Sequence, residues 1–300
     1  MASIYGRGEK LFQVIIHVLL IVLAVCAILP LWVLVAGSIT SENELIMHGY
    51  SFLPKNIDFN AYKYLLLNSS QILTSYGITL FITIFGTIIS LLITPLLAYP
   101  LSRKDFRGRN VVTFIVFLTM LFNGGIVPSY IMWTQIFHLK NTIWALIFPN
   151  LLMNGFNVIL MKNYFIQNIP PELIEAAKVD GASEFRIYFR IIMPLSLPVM
   201  ATIGLFVGVG YWNDWTNGLY YVNKPELYSL QNYLNRVLQD VQFLMSNPQI
   251  QGTGGDMTAA FPSIGIRMAI SVVGILPIMV LYPFFQKYFV KGITVGAVKG

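Results

Sequence analysis

Six long apolar segments divide this sequence and limit what it can fold into. They lie at roughly 11–36, 72–100, 111–133, 142–164, 197–217 and 267–289. Each is close to the ~20 residues that an α-helix needs to cross a bilayer. Hydrophobic residues make up 56% of the chain and charged residues 11%, against roughly 25% charged in soluble domains. The chain is therefore predicted to be an all-α integral membrane protein with six transmembrane helices.

The Lys and Arg residues are distributed unevenly between the two sides of this predicted bundle. If the N-terminus is cytoplasmic, 13 of the 19 fall inside and 6 outside. The cluster RKDFRGR (103–109) weighs most, because short loops dominate the positive-inside bias. The formal net charge of +6 then reflects sidedness and does not argue for nucleic-acid binding. Both termini and the polar segment 165–196 are expected on the cytoplasmic side.

Several kinds of chemistry find no support in the sequence. The single cysteine, Cys26, excludes a disulfide within the chain, and the three histidines lie far apart without metal-ligand spacing. The Gly-rich loop NPQIQGTGGD (247–256) lacks the Gly-Lys-Ser/Thr ending of a phosphate-binding loop. The first apolar segment is too long for a cleavable signal peptide. No catalytic residue and no metal site are predicted.

Prolines and glycines interrupt the apolar segments. Pro95 lies inside the second segment, and Asn123-Gly124-Gly125 with Pro128 predicts a break or bend in the outer half of the third. Gly204 and Gly208 in the fifth segment favour close packing against another helix.

Two polar stretches are expected outside the membrane. Residues 38–71 form an outer loop in which NIDFNAYKYLL (56–66) is either a short amphipathic helix at the surface or an ordinary connection. The stretch NKPELYSLQNYLNRVLQDVQFL (223–244) predicts one outer amphipathic helix.

The segment PPELIEAAKVDGASEFRIYFRIIMP (170–194) is charged and helix-forming, yet it lies between apolar segments. It must therefore leave the bilayer and contact something in water. Pro170-Pro171 and Glu172 suit a helix start. Gly181 permits the tight turn that ends this helix, and Ser183 can cap the next one. The prediction is a helix–turn–helix.

Within this segment, Glu175-Ala176-Ala177 is followed by Gly181 and, after nine residues, by Ile191-Ile192-Met193-Pro194. This pattern resembles the EAA loop of permease subunits in bacterial ATP-binding-cassette (ABC) importers, EAA-x3-G-x9-I-x-L-P, with Met193 in place of Leu. The resemblance implies that the loop docks on an ATPase subunit. The residues it assigns to coupling are Glu175, Ala176, Ala177, Asp180, Gly181, Ile191 and Pro194. An amphipathic loop resting on lipid headgroups is the alternative, but it does not explain this spacing.

Three further stretches are similar to those of maltose-type permeases, especially the branch for polysaccharide fragments. They are FNGGIVPSYI (122–131), WNDW (212–215) and AVKG (297–300). The resemblance implies one permease domain over 1–300, with a first span and outer loop (1–71), a core unit (72–289) that includes the coupling loop (165–196), and a cytoplasmic tail (290–300).

The same resemblance implies the assembly and the location. The partners would be a second homologous permease in a heterodimer, two ATPase subunits, an extracytoplasmic solute-binding protein, an oligosaccharide and membrane lipid. This chain would bind no cofactor, since ATP and Mg²⁺ belong to the ATPase subunits. The complex would lie in the bacterial cytoplasmic membrane.

Candidate residues for a substrate path combine aromatic rings with amides and a carboxylate, the groups that bind sugars. They are Tyr211, Trp212, Asn213, Asp214, Trp215 and Asn217 near the end of the fifth segment, and Asn123, Asn154 and Asn157 at membrane depth. The alternatives are an interfacial aromatic belt for the former and helix–helix contacts for the asparagines. An aromatic belt does not explain Asp214, because a carboxylate near the membrane is costly unless it faces water, substrate or a partner.

Two other functions remain open at this point. An ABC importer permease for a non-sugar solute would share the EAA loop. A secondary transporter would need ionisable residues inside the spans for ion coupling, and the spans here contain very few.

The predicted topology can be tested with introduced cysteines. Positions 105 and 180 should react with a membrane-impermeant thiol reagent only after the cells are opened, because both are expected in the cytoplasm. Labelling of either position from the outer face of intact cells would contradict the topology.

Overall fold

The computed structural model describes residues 7–67, 69–246 and 264–280, and its regular structure in these ranges is helical apart from one antiparallel bridge between Thr40 and Ile57. The chain divides into two compact units. The first comprises residues up to Ser69 together with 237–276, and the second comprises 70–236 together with the residues from 277 onward. The predicted tail, the Gly-rich loop 247–256 and the AVKG sequence lie outside the described residues.

The first unit contains one long helix and three shorter elements. They are α1 (Arg7–Ser38), α2 (Glu42–His48), α3 (Asn60–Leu66) and α14 (Ile264–Val280). The part of α14 up to Leu276 belongs to this unit. The helix α3 falls within the NIDFNAYKYLL stretch, so the helical alternative for that stretch is confirmed.

Backbone and carboxylate hydrogen bonds organise the first unit. The carboxylate of Glu42 accepts hydrogen bonds from the backbone N–H groups of Ile264 and Gly265 at 2.9 and 3.0 Å. These donors belong to the first turn of α14, where N–H groups have no partner within the helix. Trp32 Nε1 donates to the carbonyl of Phe52 at 2.8 Å, which holds the loop after α2 against α1.

The second unit contains the remaining helices. They are α4 (Ser69–Ser102), α5 (Arg109–Leu121), α6 (Ile126–Ile131), α7 (Gly155–Asn168), α8 (Pro171–Val179), α9 (Glu184–Ile187), α10 (Met193–Leu195), α11 (Leu197–Asn213), α12 (Thr216–Tyr221) and α13 (Leu230–Ser246), which begins in this unit. Single π-helical turns follow α6 and α9. The predicted amphipathic helix within 223–244 is confirmed as α13.

The helices α4 and α11 approach closely at glycines. A Cβ on Gly204 would lie 3.2 Å from Leu91 Cδ1, and one on Gly208 would lie 3.5 Å from Thr87 Oγ1. On the other helix, a Cβ on Gly86 would overlap the Tyr211 ring. The predicted packing role of Gly204 and Gly208 is confirmed, because small residues let helix backbones approach.

The third apolar segment breaks where the sequence predicts. Helix α5 ends at Leu121, α6 begins at Ile126, and the two halves meet at an angle of 113°. Gly125 has φ +83°, a conformation that side chains with a Cβ rarely adopt. The Asn123-Gly124-Gly125 sequence therefore produces the break.

The fourth apolar segment differs from its prediction, because no single helix crosses residues 142–164. Residues Ile143–Leu146 form a 3-10 turn, irregular turns follow, and α7 starts only at Gly155. Pro149 lacks a backbone N–H, and Asn150 has φ +63°. The Asn154 side chain then accepts a hydrogen bond from Phe156 N at 2.8 Å and caps α7. An apolar run was thus mistaken for one continuous helix.

Within the described residues, α1 and α4 are long and apolar enough to cross a membrane, as predicted for the first two segments. Helix α4 continues through Pro95 without a break. Two bent pairs would raise the number to four, namely α5 with α6 and residues 184–195 with α11, which meet at 76°. Helix α14 is a shorter apolar helix, and residues 281–289 of the sixth predicted span lie outside the described part. The count of six stays a prediction.

The contact between Gly86 and Tyr211 yields a stability test. Gly86→Ala should displace the fully buried Tyr211 ring and destabilise the protein by about 1–3 kcal/mol, as overpacking does. Gly77→Ala on the same helix is the matched control, because a Cβ there meets nothing within 4 Å. Thermal unfolding of the detergent-solubilised protein should show a lower midpoint for Gly86→Ala alone. Equal midpoints would contradict this packing.

Candidate functional site

Residues 169–196 form the predicted helix–turn–helix. Pro171 occupies the first position of α8, where the missing N–H costs nothing, and Glu172 lies in the first turn, where the helix dipole favours a negative charge. Ser183 accepts a hydrogen bond from Arg186 N at 3.4 Å and caps α9. The local sequence therefore fixes both helix starts.

The turn between α8 and α9 depends on Gly181, which has φ +75°. Gly181 N donates to the carbonyl of Lys178 at 3.0 Å, and Ala182 N donates to the carbonyl of Ala177 at 2.9 Å. These two bonds form a Schellman motif, which satisfies the last carbonyls of α8. The predicted helix stop at Gly181 is confirmed.

One side of the helix–turn–helix is anchored in the second unit. Ile174, Ile187, Tyr188 and Ile192 are buried in the same apolar cluster as residues of α7 and α11. Ala177 packs against that cluster and is half-buried. The motif is therefore attached to α7 and α11 through apolar contact.

The exposed part of the motif carries large apolar side chains among charged ones. Val179 is 88% exposed, Phe185 74% and Leu173 42%, with Glu175 and Ala176 exposed beside them. Exposed apolar groups of this size on a polar loop are typical of an interaction surface. We call these five residues the coupling surface, after the role that the EAA resemblance implies for this loop.

The other residues assigned to coupling lie around it. Asp180, Gly181 and Pro194 are exposed, while Ile191 is half-buried against the apolar cluster. Only part of the EAA signature is therefore available for contact with another protein, and the rest shapes or anchors the motif.

A charged cluster joins this motif to the turn after α4. Sequence analysis did not predict this cluster. Lys178 Nζ lies 2.7 Å from Glu184 Oε1 and 3.5 Å from Asp105 Oδ2. Arg103 Nη2 lies 2.8 Å from Asp105 Oδ2, and Tyr99 Oη donates to Glu184 Oε2 at 3.0 Å. We call these five residues the ionic cluster. Its members come from two separate stretches, 99–105 and 178–184, so no spacing could have indicated it.

The ionic cluster shifts the protonation of its carboxylates. The hydrogen bond from Arg103 holds the pKa of Asp105 well below its usual range. The hydrogen bond from Lys178 likewise lowers the pKa of Glu184. Both carboxylates are therefore ionised at neutral pH. The carboxylate side chains of Asp105 and Glu184 are 58% and 55% exposed, so each pair contributes little stability by itself.

The 211–217 segment is mostly buried within the chain. Tyr211 Oη donates to the carbonyl of Ile147 at 2.8 Å, and Asn217 Nδ2 donates to that of Pro149 at 3.1 Å. Trp212 is only 4% exposed. In contrast, Asn213 and Trp215 are exposed. These contacts favour a structural role for Tyr211, Trp212 and Asn217.

Asp214 acts as a local anchor. It is 9% exposed, and its Oδ1 accepts hydrogen bonds from Thr216 Oγ1, Thr216 N and Asn217 N at 2.7, 3.1 and 3.2 Å. Its backbone carbonyl accepts one from Ser229 Oγ at 3.2 Å. The carboxylate thus satisfies backbone N–H groups at the start of α12.

The predicted asparagines divide in the same way. Asn157 is buried, whereas Asn123 and Asn154 are exposed. Asn123 Oδ1 accepts a hydrogen bond from Gly125 N at 2.9 Å and stabilises the break before α6. Asn154 caps α7.

The two helix breaks lie at the same end of the α5–α7 pair. A Cβ on Gly155 would lie 2.9 Å from Met120 Cγ and 3.1 Å from the carbonyl oxygen of Val116. The end of α5 therefore packs on the start of α7. The exposed residues 122–125 come directly after the end of α5, and exposed Asn154 directly precedes α7. We call residues 122–125 and Asn154 the polar break.

Metal chemistry has no visible basis in this part of the protein. Among the residues that the structure describes, no three His, Cys, Asp or Glu side chains could hold a metal ion together.

Comparison with known proteins gives consistent results. The family "Binding-protein-dependent transport system inner membrane component" matches residues 86–295. Protein LplC of Bacillus subtilis (strain 168) is 41% identical over 275 residues, covering 91% of this chain and 90% of that protein.

Two further relatives extend the comparison. The polygalacturonan/rhamnogalacturonan transport system permease protein YtcP of the same organism is 36% identical and covers 97% of this chain and 99% of that protein. A crystal structure of a bacterial ABC transporter involved in the import of the acidic polysaccharide alginate contains a chain with 32% identity and a TM-score of 0.76. It covers 96% of this chain and 100% of that one. The chain therefore belongs to the family of inner membrane components of binding-protein-dependent transport systems.

Proposed function

We propose that this chain is the permease subunit of an ATP-driven importer for oligosaccharides or polysaccharide fragments. Two of its relatives support this, a permease protein of a polygalacturonan/rhamnogalacturonan transport system and a chain of an ABC transporter involved in alginate import. The observation that supports it best is the coupling surface, an exposed apolar patch on a rigid helix–turn–helix between α7 and α11.

The proposed assembly is a heterodimer with a second homologous permease, two ATPase subunits and an extracytoplasmic solute-binding protein. ATP and Mg²⁺ bind to the ATPase subunits, so this chain has no ATPase site of its own. All six predicted apolar segments cross the cytoplasmic membrane. Both termini and the coupling surface then face the cytoplasm, in agreement with the positive-inside bias.

Coupling requires the transport conformations to differ in their affinity for the ATP-bound ATPase dimer. We propose that Leu173, Ala176, Val179 and Phe185 enter an apolar cleft of the ATPase while Glu175 pairs with a basic residue there. Because Ile174 and Ile187 are buried with residues of α7 and α11, movement of α8 displaces those helices.

The polar break supports a location for the substrate path. Backbone N–H and C=O groups in a bilayer must be paired or face a water-filled cavity. Residues 122–125 are non-helical and exposed on this chain. We propose that they face the cavity between the two permeases, with Asn123 and Asn154 as sugar contacts. At its outer mouth, exposed Asn213 and Trp215 are the accessible members of the 211–217 segment.

The coupling proposal predicts the effect of two substitutions. Glu175→Lys should reduce uptake by about 30-fold or more, since losing a paired interfacial charge costs about 2 kcal/mol or more. Gly181→Asp should act similarly, because it strains a positive-φ turn that shapes the coupling surface. Uptake and substrate-stimulated ATPase activity are measured in reconstituted complexes.

Matched controls separate coupling from folding. Glu226→Lys makes the same charge change at an exposed residue outside the coupling surface, and Gly49→Asp also burdens a positive-φ glycine. Both should leave stimulated ATPase activity near that of the wild type. Wild-type coupling in both Glu175→Lys and Gly181→Asp would refute the assignment.

The substrate-path proposal predicts different effects for exposed and buried residues. Trp215→Ala should raise the KM for uptake about fivefold, from loss of a stacking contact of about 1 kcal/mol. Trp144→Ala is the control, because both tryptophans are 41% exposed. Asp214→Asn should lower the yield of assembled complex while transport per complex changes little. The reverse pattern, with transport per complex lost only in Asp214→Asn, would move the substrate contact to Asp214.

A further inference from the structure

A groove of about 420 Å³ lies between α5 and α7. Its lining residues are Asn110, Thr113, Phe114, Phe117, Ile159 and Lys162. The groove is open to the outside of the chain, and none of the α5 residues is buried. Lipid or another subunit must therefore cover this face in the membrane.

The groove contains a cation without a carboxylate partner. Lys162 Nζ donates to Thr113 Oγ1 at 3.3 Å, and Arg109, the first residue of α5, precedes Asn110 of the lining. Within the described ranges neither residue lies within 4 Å of a carboxylate oxygen. A charged side chain inside a span is costly unless a counter-charge or water is near. A lysine in a groove whose hydrogen-bond partner is a neutral hydroxyl favours an anion.

The polarity of the groove changes along its length. Helix α5 places Asn110 and Thr113 nearest its start, and Phe114 and Phe117 up to about 10 Å further along at 1.5 Å per residue. Since the end of α5 packs on the start of α7, the two helices are antiparallel and Ile159 lies deeper than Lys162. The polar lining residues of both helices therefore lie at one end of the groove, and the apolar ones lie at the other.

We propose that this groove binds an anionic phospholipid of the cytoplasmic leaflet. Lys162 contacts the phosphate together with Asn110 and Thr113, and an acyl chain lies along Phe114, Phe117 and Ile159. The leaflet assignment rests on the proposed function, which places the coupling surface, and with it the shallow end of the groove, on the cytoplasmic side. A sugar fits less well, because the deep end of the groove offers it no hydrogen-bonding groups.

Native mass spectrometry of the assembled complex tests this proposal without ATP or sugar. Phosphatidylglycerol and phosphatidylcholine with identical acyl chains are the probes. Wild-type complex should retain phosphatidylglycerol preferentially. Lys162→Gln should retain it roughly fivefold less, the equivalent of about 1 kcal/mol for one basic residue, and Lys162→Arg should restore retention. Lys140→Gln removes an exposed lysine outside the groove and is the matched control.

Equal retention by Lys162→Gln and Lys140→Gln would overturn the proposal. Displacement of the lipid by glycerol phosphate at the same concentration would show that a soluble anion occupies the groove, and would overturn it too. So would failure of Lys162→Gln to assemble with the partner permease while Lys162→Arg assembles, since a subunit carboxylate would then be the counter-charge. Because retention is measured independently of uptake, absence of sugar transport with normal retention would contradict the proposed function alone.

Discussion

The demand that every backbone polar group be satisfied in a bilayer governs this structure. It keeps α4 helical over 34 residues despite two internal prolines. It also requires other hydrogen-bond partners where helical structure stops, at 122–125 and at 147–154. At both places local bonds replace the missing ladder, with Asn123 accepting from Gly125 N and Asn154 accepting from Phe156 N. Polar residues at membrane depth are thus needed first to permit the breaks, and only then are available to a solute.

The same constraint explains why the aromatic 211–217 segment is buried. The irregular chain at 147–149 exposes carbonyls that no helix satisfies. Tyr211 and Asn217 donate to two of them. Close approach of α4, allowed by Gly86, seals the Tyr211 ring in place. Tyr211 and Asn217 have side chains of the kind that bind sugars, but in this structure they support the neighbouring loop 147–149.

Sequence was sufficient where the determinants are local. Gly181, Ser183 and Pro171 act within one or two turns of the chain, and the structure places them in the expected turn, cap and helix start. Helix α4 and the break before α6 are likewise local consequences of composition. Sequence failed at 142–164, because apolar residues fill both helices and buried turns, and hydropathy does not distinguish the two.

Sequence also could not reveal contacts that join distant segments. The ionic cluster pairs residues 103–105 with 178 and 184, and nothing in either stretch specifies the other. Asp214 is similar, because its burial and its caps on Thr216 and Asn217 depend on how α12 packs. The sequence shows the charge and the type of each of these residues. The tertiary fold determines which residues lie next to them, and therefore what role they have.

The ionic cluster has a mechanical consequence for the helix–turn–helix. Ile174 and Ile187 are buried in one apolar cluster with residues of α4, α7 and α11. Lys178 and Glu184 fix its turn to Asp105 and Tyr99, beside the end of α4. The turn that joins α8 to α9 is thus held by charges at its surface as well as by the apolar contacts beneath it. Salt, which screens exposed charges, would weaken the charged contacts and leave the apolar ones intact.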